Sequence, residues 1–302
     1  MCIRDSVELR EAAPEDVVEK LGFLGFEVAG LAKKEYKIDE RIVAVEVKGV
    51  NRHPNADKLK ICVVSDGTAD YEVVCGAPNV SPGMKVFMAK EGAVLPGGME
   101  IKPVKIRGVL SKEMLCSATE LGFWEDQSGL LELEKEIKAG LRAKDIVPEK
   151  DAIIDVELTA NRPDCLSHLG IARELAVAYK ESVKLPDICL NIKKSKIRKV
   201  FIDNPDICKR YYAVYFENAA VGAAPFWMRL LLSNCGIRSI NNIVDITNYV
   251  LLEMGHPLHA FDQKDIKGGE IHIRLAGDKE EITALDGKNY SLDSSVLVTA
   301  DK

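Results

Sequence analysis

The 302-residue chain has no run of about 18 uninterrupted apolar residues, so it contains no ordinary membrane-spanning helix. Its start lacks the basic-then-apolar layout of a secretory signal. None of its eight cysteines forms a C-x-x-C pair, and their wide scatter excludes a disulfide framework and fits a reducing cytoplasm. There is no Gly-rich loop of the Walker or dinucleotide type, no internal repeat and no low-complexity tract. Excess positive charge is missing too. With 41 Lys and Arg against 47 Asp and Glu, the net charge of −6 excludes a surface coated for DNA but allows a local basic patch. What is present, 47% apolar and 29% charged residues, is enough for real cores and implies two domains or three small ones.

The pattern first turns helical after Pro14, with Val17, Val18 and Leu21 on one face until Gly22 and Gly25. From about Arg41 to Leu133 the texture is short β-type runs: Val43–Val47, Lys60–Ser65, Tyr71–Cys75, Val86–Ala89, Ile101–Ile106 and Gly129–Leu133. Gly and Pro turns divide them, a layout that predicts a small OB-like barrel of about five strands. A strand over Ile153–Leu158 and a helix capped by Asn161 should follow. The run Lys193-Lys194-Ser195-Lys196-Ile197-Arg198-Lys199 reads as a solvated strand or linker, or as a nucleic-acid patch. The last third predicts strands over Tyr211–Phe216, Ile243–Asp245, Ile271–Leu275 and Val296–Thr299. It also predicts a helix over Phe226–Leu232, and a second capped by Thr247 and stopped at Gly255.

Chemistry-bearing residues are few. His256 and His259 are separated by Pro257, and no second pair of N or S ligands lies near, so no metal site is expected. The turn-rich His53-Pro54-Asn55-Ala56-Asp57-Lys58-Leu59 is either a rigid β-connection or a loop presenting His53 and Lys58 to nucleic acid. Lys102, Lys105, Arg107 and Lys112 cluster around a strand, followed by Ser111, Met114 and Ser117. Near the end, Thr247 and Asn248 precede His259, which is either a packing residue or a group that orients water.

Four motifs in order then resemble the N-terminal half of bacterial phenylalanyl-tRNA synthetase β subunits. They are His53–Leu59 with Val74-Cys75-Gly76-Ala77-Pro78-Asn79, and Lys105–Gly108 through Met114–Ser117 and Glu120-Leu121-Gly122. Next come Thr159–Ser167 with Gly170–Glu174, and Gly236-Ile237-Arg238 through Asn242–Tyr249 with Pro257–Asp262. Free-standing tRNA-binding proteins of the EMAP type share the first two. The resemblance implies an α+β fold in which an OB-type tRNA-binding domain (residues 40–150) is inserted in an N-terminal domain (1–39 and 151–200). A mixed α/β editing domain follows (201–302), incomplete at its C-terminus.

The same resemblance implies an enzyme component. It would be part of a class II phenylalanine–tRNA ligase that charges tRNA(Phe) with an α subunit in an α2β2 heterotetramer, using ATP and Mg2+. None of these cofactors is expected on this segment, which should not aminoacylate alone. The expected setting is cytoplasmic, without DNA or membrane. Thr247, Asn248 and His259 match the editing pocket that hydrolyses Tyr-tRNA(Phe), while His53, Lys58, Lys102, Lys105, Arg107, Ser111, Met114 and Ser117 are implied tRNA contacts. The alternatives are a free-standing tRNA-binding module without catalytic activity and a separate editing hydrolase. Three departures stand out: Glu113 occupies a usual Gly position, the first six residues do not match, and the chain stops before a Gly-Gly-Glu segment of the family's pocket.

Overall fold

The computed structural model describes residues 3–9, 11–188, 199–284 and 287–301. The chain forms two compact units, Met1–Leu185 with Val221–Leu258 and Pro186–Ala220 with His259–Lys302. The expected 201–302 segment is thus divided between them. No helix among the described residues is long and apolar enough to cross a membrane.

The first unit opens with a single turn, α1 (Ile3–Ser6), and helix α2 (Pro14–Phe23). Pro14 suits a first turn, where its missing N–H would have no partner, and the Ala13 N–H donates to Asp16 Oδ2 at 2.9 Å. Val17 and Leu21, one turn apart, bury the inner face of α2. Strand β1 (Glu27–Glu35) follows.

Seven antiparallel and interrupted segments come next: β2 (Ile42–His53), β3 (Ala56–Ser65), β4 (Asp70–Cys75), β5 (Lys85–Ala89), β6 (Val104–Ile106), β7 (Val109–Ser111) and β8 (Met114–Leu115). With β9 (Glu132–Leu133) they build a sheet ordered β4-β3-β2-β5-β8, β9 also pairing with β5, and a separate β6-β7 ribbon. Alternation along β2 sends Ile42 and Ala44 into one core with Phe87, Leu121 and Phe123. Val43, Val45 and Val47 enter another with Cys62, Val64 and Val73. Burial on both faces explains the unbroken apolar run.

An OB-like barrel of about five strands was expected, and among the described residues no closed barrel is seen. Among the described residues no pairing joins β4 to the far edge. That edge of β5 is shared by two short strands, with Met88 opposite Leu115 and Lys85 opposite Leu133.

Strand β10 (Lys150–Glu157) returns antiparallel to β1, and α3 (His168–Tyr179) packs Ala172, Leu175 and Ala176 with Val17, Leu21 and Phe26. The cap of α3 is Ser167, whose Oγ accepts from the Gly170 N–H at 2.9 Å, not Asn161 as expected. A Cβ at position 170 would lie 2.1 Å from the Asp164 carbonyl oxygen, so only Gly permits this entry. Helices α4 (Phe226–Asn234) and α5 (Asn242–Met254) complete the unit. Asn234 ties α4 to the β1-β10 pair, accepting from Lys34 Nζ at 2.7 Å and donating to Asp151 Oδ2 at 2.7 Å.

In the second unit, β11 (Lys199–Ile202) runs parallel to β12 (Glu270–Leu275). A hairpin, β13 (Glu280–Thr283) with β14 (Asn289–Leu292), precedes β15 (Leu297–Ala300), which pairs antiparallel with β12. Arg274 donates to both Glu280 oxygens at 2.7 and 2.9 Å, and this holds the Glu280 pKa down at about 2. The expected strand over Tyr211–Phe216 does not form: these side chains are largely exposed, with Tyr212 at 82%. Residues Lys193 to Arg198 of the basic run lie outside the described residues.

Candidate nucleic-acid interface

The β2-β3 hairpin turns through only Pro54 and Asn55, so His53 and Lys58 do not share a loop. His53 is buried, and both ring nitrogens are engaged. The Asn55 N–H can only donate, so Nδ1 accepts from it at 3.1 Å, which leaves the proton on Nε2 to donate to the Ile106 carbonyl at 3.1 Å. This corrects the expectation that His53 is presented to a ligand. Asn55 Nδ2 donates to the Arg107 carbonyl at 3.0 Å, joining the β2-β3 tip to the β6-β7 turn.

That turn has two residues, Arg107 (φ 49) and Gly108 (φ 94), facing the Ile106–Val109 pair. Positive φ at both is what a tight right-twisted hairpin requires, and the Gly supplies it without strain. The side chains of Arg52, Lys58, Lys105 and Arg107 are exposed and make no hydrogen bond or ion pair among the described residues. Lys102 is also exposed but pairs with Glu100 at 2.8 Å.

The remaining expected contacts serve the frame. Ser111 is buried, its Oγ accepting from the Val74 N–H at 3.1 Å and donating to the Glu113 carbonyl at 3.0 Å. Burial raises the Glu113 pKa, partly offset by Lys112. Ser117 Oγ donates to Glu120 Oε2 at 2.8 Å, and Met114 packs half-buried against the Phe87 core. Hydroxyls and thioethers in such a motif look like ligand groups in sequence, and only tertiary contacts show them occupied.

One cluster has metal-ligand composition, Asp164, Cys165 and Glu174. Its cation is already present. Arg162 Nη2 lies 3.1 Å from Asp164, 2.8 Å from Glu174 and 3.0 Å from the Cys165 sulfur. Burial, then the bond to Asp164, raises the Cys165 thiol to about 11, so it stays a protonated core group.

The editing candidates sit differently from expectation. Ile243–Asp245 is helix, not strand. Helix α5 starts at Asn242, with the Asn241 side chain accepting from the N–H groups of Ile243 and Val244 at 3.0 and 3.1 Å. Thr247 is therefore no cap: it lies inside α5, and its Oγ1 donates to the Val244 carbonyl at 2.7 Å. Asn248 is half-buried beside it. Both belong to the first unit, whereas His259 begins a segment of the second, exposed and 4.3 Å from the Phe261 ring between centroids.

Two family models match the chain. One, described as "Putative tRNA binding domain", covers residues 42–142, and one described as "B3/4 domain" covers residues 207–302. The phenylalanine–tRNA ligase β subunit of Desulfotalea psychrophila is 42% identical over 98% of this chain and 36% of its own length. That of Syntrophus aciditrophicus is 39% identical over 99% of this chain and 37% of its own length, and that of Anaeromyxobacter dehalogenans 43% identical over 96% and 37%. Over nearly its whole length the chain is thus similar to phenylalanine–tRNA ligase β subunits. It spans somewhat over a third of the length of these curated β subunits. A solved structure of a MetRS-related protein from Pyrococcus horikoshii aligns over 44% of this chain and 99% of its own at 21% identity. Its TM-score of 0.27 is too low to bear on the fold.

In this β-subunit relative, sequence reasoning overlooked Arg52 and the structural use of Asn55. The signal for Arg52 was available, since it directly precedes the His53 motif. No local pattern shows that Asn55 reaches across to residue 107.

Proposed function

We propose that the chain is part of the β subunit of a phenylalanine–tRNA ligase, a class II enzyme that charges tRNA(Phe) with an α partner in an α2β2 assembly in the cytoplasm. Its share of the work is to bind tRNA through an OB-type segment inserted in the α+β domain, and to contribute to hydrolysis of Tyr-tRNA(Phe). The observation that carries this reading is the pair of tied hairpin tips, which hold the unpaired side chains of Lys58, Lys105 and Arg107 within residues 42–142. Lysine and arginine there would displace counterions from RNA phosphates. Lys102 would join them after releasing Glu100. His53, Ser111, Met114 and Ser117 shape the support.

Editing has a physical need. A pocket that holds phenylalanine rejects an analogue with one added hydroxyl only by about 10²-fold, so a second, hydrolytic site supplies the rest. Thr247 and Asn248 would fix the substrate by hydrogen bonds, and His259 would position the terminal adenosine or the attacking water. With its proton committed to Val244, the Thr247 hydroxyl would act as acceptor.

ATP and Mg2+ would belong to the complete enzyme. Among the described residues the one metal-like cluster already holds a guanidinium. The test is titration of the full chain with tRNA(Phe) at increasing salt. Lys105→Ala with Arg107→Ala should weaken binding and flatten the log–log salt slope by about two. Equal affinity and slope would reject the interface.

A further inference from the structure

The β6-β7 ribbon has three residues per strand and pairs with no other strand among the described residues. A ribbon this short does not hold itself in water. Its outer surface is no anchor either, since Val104 and Leu110 are 53% and 46% exposed. What fixes it is polar and specific: the imidazole of His53 on the Ile106 carbonyl, the Asn55 amide on the Arg107 carbonyl, and Ser111 on the Val74 N–H.

We propose that His53 and Asn55 are positioning residues for RNA binding: a clasp that holds the Lys105–Arg107 segment against the β2-β3 tip without touching RNA. The inference rests on the tRNA reading above. The His53 ring is a bridge with one permitted proton placement, because a donor faces Nδ1 and an acceptor faces Nε2. Asn55 makes the second tether one residue further on, at the Arg107 carbonyl. Gly108 leaves room for it, since a Cβ there would come 3.4 Å from Asn55 Nδ2. Two carbonyls in succession, Ile106 and Arg107, are therefore held at the turn that carries a free guanidinium. Phosphate-contacting groups that are ordered before binding lose less conformational freedom on contact, which raises affinity.

The clasp carries no charge in this arrangement, and that separates positioning from contact. Removing it should weaken binding while leaving the number of neutralised phosphates, and so the salt slope, unchanged. The experiment uses the full chain with tRNA(Phe) at several salt concentrations, together with amide hydrogen exchange. Asn55→Ala and His53→Ala should each raise Kd about five- to tenfold with the slope preserved. His53→Gln, whose amide can both donate and accept, should recover most of the loss. Exchange at residues 104–111 should accelerate at least about tenfold in Asn55→Ala, while residues 42–47 keep their protection.

Unchanged exchange at 104–111 in Asn55→Ala overturns the proposal. So does unchanged affinity in that variant when Lys105→Ala with Arg107→Ala still weakens binding. If exchange accelerates but the cation variants bind like wild type, the RNA reading has failed and the clasp is architecture alone. Should His53→Ala not fold, Asn55→Ala decides, because it removes one tether at an exposed turn.

Discussion

The backbone N–H of Phe226 donates to Glu134 Oε1 at 2.8 Å, so the first turn of α4 is capped by a carboxylate just beyond β9. An anion is favourable at that end of a helix, where free N–H groups gather. The bond joins a residue of the tRNA-binding match to one of the B3/4 match. Around it, the Phe226 ring meets Phe87 edge-on at 6.1 Å and Phe123 at 5.1 Å. Arg229 Nη2 donates to the Glu132 carbonyl, and its guanidinium lies 5.7 Å from the Trp124 ring centroid. Helix α4 is thus part of the β-sheet core, which is why Val221–Leu258 folds with the first unit.

Phe226 is 2% exposed within that aromatic cluster. Phe226→Ala should destabilise the first unit by about 3–5 kcal/mol, the cost of a large side chain lost from a packed core. Urea unfolding followed by Trp124 fluorescence would show it, since the Trp124 ring stacks 6.2 Å from Phe226. A midpoint equal to wild type would mean the ring is not part of the core.

Acid stability should depend on Asp66. Burial alone would raise its carboxyl pKa. Hydrogen bonds from Lys90, the Thr68 hydroxyl and the N–H groups of Thr68 and Ala69 outweigh this and hold it well below the usual carboxylate range. A depressed folded-state pKa gives stability that is fully present above the unfolded value of about 4 and lost as pH falls below it. Asp66→Asn should therefore lower stability at pH 7 by about 3 kcal/mol, because Lys90 loses its charge partner. It should also flatten the decline of stability below pH 4. Parallel wild-type and variant curves across that range would contradict the assignment.

Much of the β-rich half was legible because β-branched runs alternate with Gly and Pro turns, and β2 to β5 fall where the pattern places them. The end of α5 was legible as well: Gly255 adopts φ 72, the left-handed stop its position suggested. Its start was not. Ile243 and Val244 look like strand residues, but Asn241 caps their N–H groups, and buried Asp245 accepts from Ser239 Oγ at 2.5 Å and the Ile240 N–H at 2.9 Å. Asn161 lost the α3 cap to Ser167 for a related reason: two good capping residues lie near each other, and the packing at Gly170 selects between them. His53 shows the other limit. Its motif is visible in one dimension, while the direction of its ring is set by a carbonyl 53 residues away.

Lys102 offers a charge test of the interface. Its ammonium pairs with Glu100 at 2.8 Å, and both groups are at least half exposed, so the pair itself adds little stability. Releasing it should help an anionic ligand. Glu100→Gln should tighten tRNA binding about twofold at low salt and leave the unfolding midpoint in place. The gain should vanish in Lys102→Ala. A gain that survives without Lys102 would mean that Glu100 acts through general repulsion instead.

The editing assignment separates Thr247 from His259 by what each can give up. In the assembled enzyme carrying a full-length β subunit, His259→Ala should slow deacylation of Tyr-tRNA(Phe) at least about tenfold, the value of one well-placed hydrogen bond to a reacting system. Charging with phenylalanine should be spared. Thr247→Ser keeps a hydroxyl that can still donate to the Val244 carbonyl, so it should edit nearly as wild type. Thr247→Val removes the acceptor while keeping the shape. It should therefore lose discrimination against tyrosine without loss of helix stability, since the lost bond is a local one within α5. Deacylation by His259→Ala at the wild-type rate would remove His259 from the chemistry, and wild-type editing by Thr247→Val would do the same for Thr247.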